Sequence, residues 1–203
     1  MTIEKGQPWG HSIVVPITTR DVDSDWQLAR GSRDDIHILS GGDLHSTLGK
    51  PTGITPGQTR TLVQIDAVEC TLRNGVSTGS VLASATIEIG QWVSVLRRHR
   101  FIVLTNGGLL NGSNVAPRAH PNDGCVDVMR INSSMPWRDR VMSKRRARTG
   151  AHLPHPHITI SRGETFTFVR EYKREKLFID GQAMKSWESV DIKVLPDYWQ
   201  VIV

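Results

Sequence analysis

The sequence predicts a mainly β (α+β) fold built on antiparallel strands. Apolar and polar residues alternate with a period of two along residues 80–89, 164–169 and 190–194, which is typical of strands with one buried face. Residues 101–104 are a continuous apolar run, which indicates a strand buried on both faces. Asp180 and Gly181 lie between apolar segments and predict a two-residue hairpin turn, because both residue types tolerate positive φ. Recurrent turns of this kind favour a sandwich or a barrel.

One helix is predicted within the strand-rich part of the chain. Residues 137–148 contain no Gly or Pro, Trp137 and Val141 are four positions apart, and Gly150 ends the segment. The remaining surface of this helix is predicted to be basic, through Arg138, Arg140, Lys144, Arg145, Arg146 and Arg148.

Residues 1–60 have a different character. Short strands are predicted at 13–17 and 36–39, and the stretch at 21–35 is polar and charged. A loop with one helical turn and a linker rich in Pro and Gly follows. The sequence therefore predicts an α/β segment with a linker at 1–60 and a β-sandwich domain at 61–203.

Composition and charge indicate a globular chain in a reducing compartment. Cys70 and Cys125 lie far apart, so no cysteine pair has the spacing of a zinc site. No apolar run reaches the ~20 residues that span a bilayer, and the first residues lack the apolar core of a signal peptide. A cytoplasmic location is therefore predicted.

The net charge of +5 suits anionic partners. Basic clusters at 97–100 and 144–148 predict contact with phosphates or with an anionic membrane surface, and a solvated face is the alternative. Nucleic acid is less favoured, because these clusters are not interleaved with the aromatic residues on which single-strand binders stack bases.

The densest set of chemically useful residues is T-N-G-G-L-L-N-G-S-N-V-A-P-R-A-H-P-N-D-G-C-V-D-V at 105–128. Its glycines permit unusual backbone angles and the close approach of a ligand. Asp123 and Asp127 supply oxygens of the kind that Mg²⁺ prefers. The segment predicts a ligand or Mg²⁺ corner, and the alternative is a surface loop rich in Gly and Asn with a D-G turn.

This segment resembles the sandwich-domain motif of bacterial diacylglycerol/lipid kinases, which are relatives of NAD kinases. In that family a strand ends in N-G, a glycine-rich turn leads to (I/V)-A-P-x-A, and D-G-x-(L/V)-D-V follows. The same order and spacing occur here. Further similar motifs are G-A-H and H-P within 150–156, D-G-Q at 180–182 and V-L-P at 194–196. Upstream, G-D-L-H-S-T-L-G-K-P at 42–51 is similar to G-N-D-x-A-R-x-L-G-x-P, so the resemblance spans residues 41–203.

The resemblance implies an antiparallel β-sandwich of the NAD kinase/diacylglycerol kinase C-terminal type, with a short, truncated α/β segment before it. It also implies ATP and Mg²⁺ as cofactors, with Asp123 and Asp127 as metal ligands. Asp180 and Gln182 take the catalytic positions. The cofactor-binding positions are Asn106, Gly107, Gly112 and Asn114.

Two departures from the family pattern predict impaired phosphoryl transfer. The family holds ATP phosphates on the backbone of a G-G-D-G-T loop, whereas G-G-D at 41–43 is followed here by L-H and preceded by only 40 residues. The family glutamate thought to act as a base on the lipid hydroxyl is Gln182 here, and an amide cannot accept a proton in that role. The sequence therefore predicts a degenerate binding or regulatory module for a lipid or nucleotide-like small molecule.

Other functions stay open on the sequence. An active ATP-dependent lipid kinase would need its ATP-binding half from a partner subunit. A nucleic-acid-binding β protein would use the basic clusters, and a structural subunit would bind no ligand. A homo-oligomer is among the predicted assemblies.

Overall fold

The computed structural model describes residues 9–93 and 99–203. Its helices are α1 (Asp25–Leu28), α2 (Gly42–Thr47) and α3 (Trp137–Ala147). In chain order its strands are β1 (His11–Val14), β2 (Arg20–Val22), β3 (Ile36–Leu39), β4 (Thr59–Asn74), β5 (Ser77–Ala83), β6 (Thr86–Gly90), β7 (Phe101–Thr105), β8 (Leu109–Leu110), β9 (Ser113–Asn114), β10 (Val126–Ile131), β11 (Ile158–Gly163), β12 (Thr165–Val169), β13 (Leu177–Ile179), β14 (Gln182–Ala183) and β15 (Ser189–Ile202). Strands dominate, so the predicted mainly β class is confirmed.

The first sheet is built around a long antiparallel pair, β4 and β15. Its order is β1-β4-β15-β3-β2, with β5 also paired to β4 and β12 to β15. The alternating set at 190–194 lies in β15, which continues through a β-bulge between Leu195 and Trp199. Because β3 pairs with β15 in parallel, residues before position 60 share this sheet with the last strand. The domain boundary near residue 60 stays a prediction.

The second sheet has six antiparallel strands in the order β11-β10-β7-β6-β13-β14. All five residues of β7 are buried, as the apolar run at 101–104 predicted. The two sheets share one apolar core, which includes Val68, Val190 and Ile192 from the first sheet and Ile87, Leu104 and Val128 from the second. The predicted sandwich is therefore confirmed.

The alternating stretch at 80–89 is two strands, and the prediction of one strand is wrong. β5 ends at Ala83 in the first sheet, whereas β6 begins at Thr86 in the second. Alternation of polar and apolar residues continues through the break in the sequence, but residues 83–87 are all buried, so burial does not alternate there. No Gly or Pro marks the break. The backbone N–H groups of residues 84–86 donate hydrogen bonds there to the carboxylate of Asp180, which is distant in sequence.

The predicted basic helix is present as α3, and it packs on the outer face of the second sheet through Ala147. The prediction that Arg140 adds to its basic surface is wrong, because this residue is 2% exposed. Its guanidinium donates hydrogen bonds to backbone carbonyl oxygens of Trp92, His99, Asn132 and Met135. Within the described ranges, no helix combines the length and the apolar character needed to cross a bilayer.

The basic cluster predicted at 97–100 is described only in part. Arg97 and Arg98 lie outside the described residues. Arg100 is ion-paired with Glu171 at 2.8 Å and with the buried Glu175 at 2.9 Å. Its charge is therefore neutralised within the protein.

Candidate functional site

Four carboxylates meet where α1, α2 and the β13–β14 hairpin come together. Asp25 begins α1, Asp43 lies in the first turn of α2, Glu88 lies in β6, and Asp180 lies in the hairpin turn. They line a cavity of about 170 Å³, here called the acidic cleft. Its other lining residues are Gly42, Thr86, Leu110, Asn111 and Gly181.

The hairpin turn places the Asp180 carboxylate against residues 84–86, where the chain passes from the first sheet to the second. Asp180 and Gly181 have φ angles of 44° and 76°, the positive values that the D-G pair predicted. The carboxylate accepts hydrogen bonds from the backbone N–H groups of Ser84, Ala85 and Thr86 at 2.7, 3.0 and 2.9 Å. Burial raises the pKa of Asp180, and these hydrogen bonds oppose the rise. Asp180 therefore supports the fold and also lines the cleft.

Asp25 binds the N-terminus of α2, although it belongs to α1. Its oxygens accept hydrogen bonds from the backbone N–H groups of Asp43 and Leu44 at 2.7 and 3.1 Å. Gly42 is needed between them, because a Cβ at its φ of 93° would collide with this carboxylate. Burial raises the pKa of Asp25 to about 7; the hydrogen bond from Asp43 opposes this, and the charge of Asp180 adds to it.

Asp43 joins α2 to the turn between β8 and β9. Its oxygens accept hydrogen bonds from the backbone N–H groups of Asn111 and Gly112 at 2.7 and 2.8 Å. Both turn residues have positive φ, 48° and 71°, and their successive N–H groups converge on this one carboxylate. Gly112, a predicted cofactor-binding residue, therefore lies beside the acidic cleft.

The acidic cleft does not fit the phosphates of a nucleotide. The N–H groups at the start of α2 and in the β8–β9 turn are the kind that bind anions, but carboxylates of the protein already occupy them. A phosphate would also be repelled by the acidic side chains around it. Among the described residues, no three His, Cys, Asp or Glu side chains are arranged to hold a metal ion that would offset this repulsion.

A larger cavity of about 1170 Å³ adjoins the acidic cleft and shares four lining residues with it: Glu88, Leu110, Asn111 and Gly181. Its lining also includes three cations at the end of α3: Lys144, Arg145 and the C-cap residue Arg148. Burial raises the pKa of Glu88, the charge of Asp43 raises it further, and Lys144 lowers it. The combined cavity therefore has carboxylates in one part and cations in another.

The two predicted catalytic residues are placed differently. Asp180 lines the acidic cleft. Gln182 is exposed in β14, paired with Ile179, and is not among the described residues that line the cleft. The catalytic role of both residues stays a prediction.

Three predicted cofactor-binding residues pack between elements of the fold. Asn106 is 1% exposed, and its Nδ2 donates to the carbonyl oxygen of Asp66 at 2.8 Å. Gly107 lies against Thr47, whose Oγ1 would be 2.6 Å from an added Cβ. Asn114 is half-buried in β9. These contacts support the fold, and the cofactor-binding role stays a prediction.

The predicted Mg²⁺ ligands, Asp123 and Asp127, lie away from the acidic cleft, beside β11. The Asp123 carboxylate accepts hydrogen bonds from Arg162 Nη2 at 2.5 Å and from the Cys125 N–H at 3.1 Å. Asp127 stands opposite Arg162 in the β10–β11 ladder, and burial raises its pKa to about 6. A guanidinium therefore pairs with Asp123, and the Mg²⁺ role of the two carboxylates stays a prediction.

Sequence reasoning missed three of the four cleft carboxylates. Asp43 lies in the segment 42–51, and its place in that motif was a usable signal. Asp25 lies in a charged stretch without a recognisable motif, and Glu88 lies on the polar side of a strand pattern. Only the folded chain brings these residues together.

Comparison with protein families shows one match over the second part of the chain. The family described as the YegS C-terminal NAD kinase beta sandwich-like domain matches residues 83–203. The matched residues cover β6 to β15 and include Asp123, Asp127 and Asp180. No curated protein matches the sequence.

Solved structures share the fold at low sequence identity. A diacylglycerol kinase from Bacillus anthracis str. Sterne superposes with a TM-score of 0.54 and 12% identity, over 83% of this chain and 66% of that chain. Another structure from the same organism, assigned as a diacylglycerol kinase, has a TM-score of 0.58 and 13% identity, over 83% of this chain and 69% of that chain. The chain thus spans just under two thirds of the first of these proteins, and the likeness is one of fold.

Proposed function

The chain belongs to the family of YegS C-terminal NAD kinase β-sandwich-like domains, and on this premise we propose that it is a lipid-kinase relative that binds a small lipid and transfers phosphoryl groups poorly or not at all. The ligand site is the acidic cleft. The protein acts as a binding or regulatory module.

The residue at position 182 carries this proposal. A kinase of this type needs a base that takes the proton from the attacking hydroxyl, and the resemblance places that base at 182. Gln182 has an amide, which cannot accept the proton, and its side chain is exposed in β14. The neighbouring Asp180 is bound to three backbone N–H groups, so it is poorly placed to substitute.

The charge of the acidic cleft favours a neutral ligand over a nucleotide. Its carboxylates occupy the N–H groups that would otherwise hold phosphates. A neutral lipid with free hydroxyl groups can donate hydrogen bonds to Glu88, which lines both the acidic cleft and the larger cavity. This supports a glycerolipid-like ligand.

The outer face of α3 supports a second part of the proposal, contact with an anionic membrane surface. Trp137 is 50% exposed, and Val141 and Met142 are exposed near it. Lys144 and Arg145 follow on the same helix, and Arg148 is its C-cap. An exposed aromatic residue beside cations suits the interface of an anionic bilayer.

The test combines a turnover assay with a binding assay. We expect dioctanoylglycerol with ATP and Mg²⁺ to yield no more phosphorylated lipid with the protein than without it. Titration with dioctanoylglycerol alone should show binding that Glu88→Gln weakens about tenfold, because a charge-assisted hydrogen bond is replaced by a neutral one. The matched control, Glu164→Gln, changes an exposed carboxylate outside the cleft and should bind as the wild type does.

Either half of the proposal can fail on its own. Phosphorylation above the protein-free control that Gln182→Ala abolishes would show that residue 182 supports turnover. Equal binding by the wild type and Glu88→Gln would place the lipid outside the acidic cleft.

A further inference from the structure

A separate cavity of about 550 Å³ lies on the outer face of the second sheet, beside its edge strand β11. Its floor is formed by Asp127, Ile158 and Ile160, and its walls come from residues 116–118, 150 and 153–155. We call it the edge pocket. It shares no described lining residue with the acidic cleft.

The register of β10 places the Asp127 carboxylate on this outer face. Val126 and Val128 belong to the core between the two sheets, whereas Met129 belongs to the cluster on the outer side. Side chains alternate along a strand, so Asp127 shares the outer face with Met129. Its partner across the ladder is Arg162, and Ile160 is the partner of Met129. The Asp127 carboxylate therefore lies among mainly apolar side chains on the floor of the edge pocket.

The Asp127 side chain has no hydrogen-bond or ion-pair partner among the described residues. It is 5% exposed, yet Arg162, the nearest cation by register, is bound to Asp123 at 2.5 Å. No described donor forms a hydrogen bond or an ion pair with the Asp127 side chain. The Asp127 carboxylate lines the cavity, so it offers an acceptor to a hydrogen-bond donor of a bound ligand.

We propose that the edge pocket binds a small apolar alcohol whose hydroxyl group donates a hydrogen bond to the Asp127 carboxylate. The cavity volume of about 550 Å³ and the mainly apolar lining suit a small ligand that is apolar apart from one hydroxyl group. A neutral donor fits better than an ammonium group, because Arg118 lines the pocket and Arg162 lies beside Asp127. The site is independent of the acidic cleft and of the lipid proposed to bind there.

Two isomeric probes test the proposal on the full chain. 1-Octanol carries the donor, and heptyl methyl ether has the same atoms without it. Calorimetric titration should show that 1-octanol binds about tenfold or more tightly than the ether, as expected for a hydrogen bond to a charged group. Asp127→Asn should remove most of this difference.

A second pair of variants distinguishes the effect of filling the pocket from the effect of adding a tryptophan elsewhere on the protein. Ile160→Trp places a large side chain into the pocket and should abolish binding of both probes. Val76→Trp adds the same side chain at a fully exposed position and should leave both affinities unchanged. Thermal unfolding of each variant verifies that it is folded.

Three results would overturn the proposal. One is the absence of 1-octanol binding to the wild type. Another is equal affinity for the two isomers. The third is 1-octanol binding that persists unchanged in both Asp127→Asn and Ile160→Trp. The acidic cleft and its test with dioctanoylglycerol would be unaffected by any of them.

Discussion

The carboxylate of Asp180 accepts a hydrogen bond at 2.7 Å from the backbone N–H of Ser84, which lies 96 residues earlier in the chain. The bond lies where the chain leaves the first sheet after β5 and enters the second at β6. Two further N–H groups, of Ala85 and Thr86, bind the same carboxylate. One side chain from the hairpin turn therefore organises the crossover between the sheets and also lines the acidic cleft.

Replacing Asp180 by Ala should destabilise the protein strongly. Three backbone N–H groups would lose their acceptor, and each buried unsatisfied donor costs about 1–3 kcal/mol, so the free energy of unfolding should fall by about 3 kcal/mol or more. Urea unfolding followed by tryptophan fluorescence measures the change. The control is Asp35→Ala, which removes a surface ion pair with Arg20 and should cost less than about 1 kcal/mol. Equal losses in the two variants would contradict the structural role of Asp180.

Asp25 should make the protein less stable as pH rises. Burial raises its pKa from 3.8 to about 7, so the folded chain holds this proton more tightly than the unfolded chain does. The resulting loss of stability is absent below about pH 4, grows through the interval between the two pKa values, and is complete above about pH 7. Melting temperatures measured from pH 5 to pH 8 should therefore fall less steeply for Asp25→Asn than for the wild type. A wild-type slope in Asp25→Asn would show that Asp25 does not titrate in this interval.

The α3 face should bind anionic vesicles through its cations. The variant Lys144→Gln/Arg145→Gln/Arg148→Gln should weaken binding to vesicles of phosphatidylcholine with phosphatidylglycerol by tenfold or more, since each surface cation contributes about 1 kcal/mol. Co-sedimentation at low and high salt measures this, and salt should weaken the wild type as well. The matched control changes three exposed cations elsewhere, Lys173, Arg174 and Lys176, to Gln. Equal binding of the wild type to neutral and anionic vesicles would exclude this mode of contact.

The site is where sequence reasoning and structure differ most. The D-G turn was predicted with its positive φ angles, because turn chemistry depends on adjacent residues. The ion pair of Asp123 with Arg162 of β11 was not predicted, because the two residues are far apart in sequence, and the Mg²⁺ role of Asp123 stays a prediction. Arg140 was assigned to a basic surface from composition alone, but backbone carbonyl oxygens of three separate segments bury it. In each case the deciding partner is remote in sequence.

By itself the sequence determined the mainly β class, most strands, the helix at 137–148 and the hairpin at Asp180. These features follow from side-chain periodicity and local backbone preferences, which act over a few neighbouring residues. Tertiary structure alone decided that residues 80–89 divide between two sheets, that Asp25, Asp43, Glu88 and Asp180 share one cleft, and that Asp127 faces a separate pocket. Strand order and register set these relationships, because they bring together groups that lie far apart along the chain and change the solvation and charge around each of them.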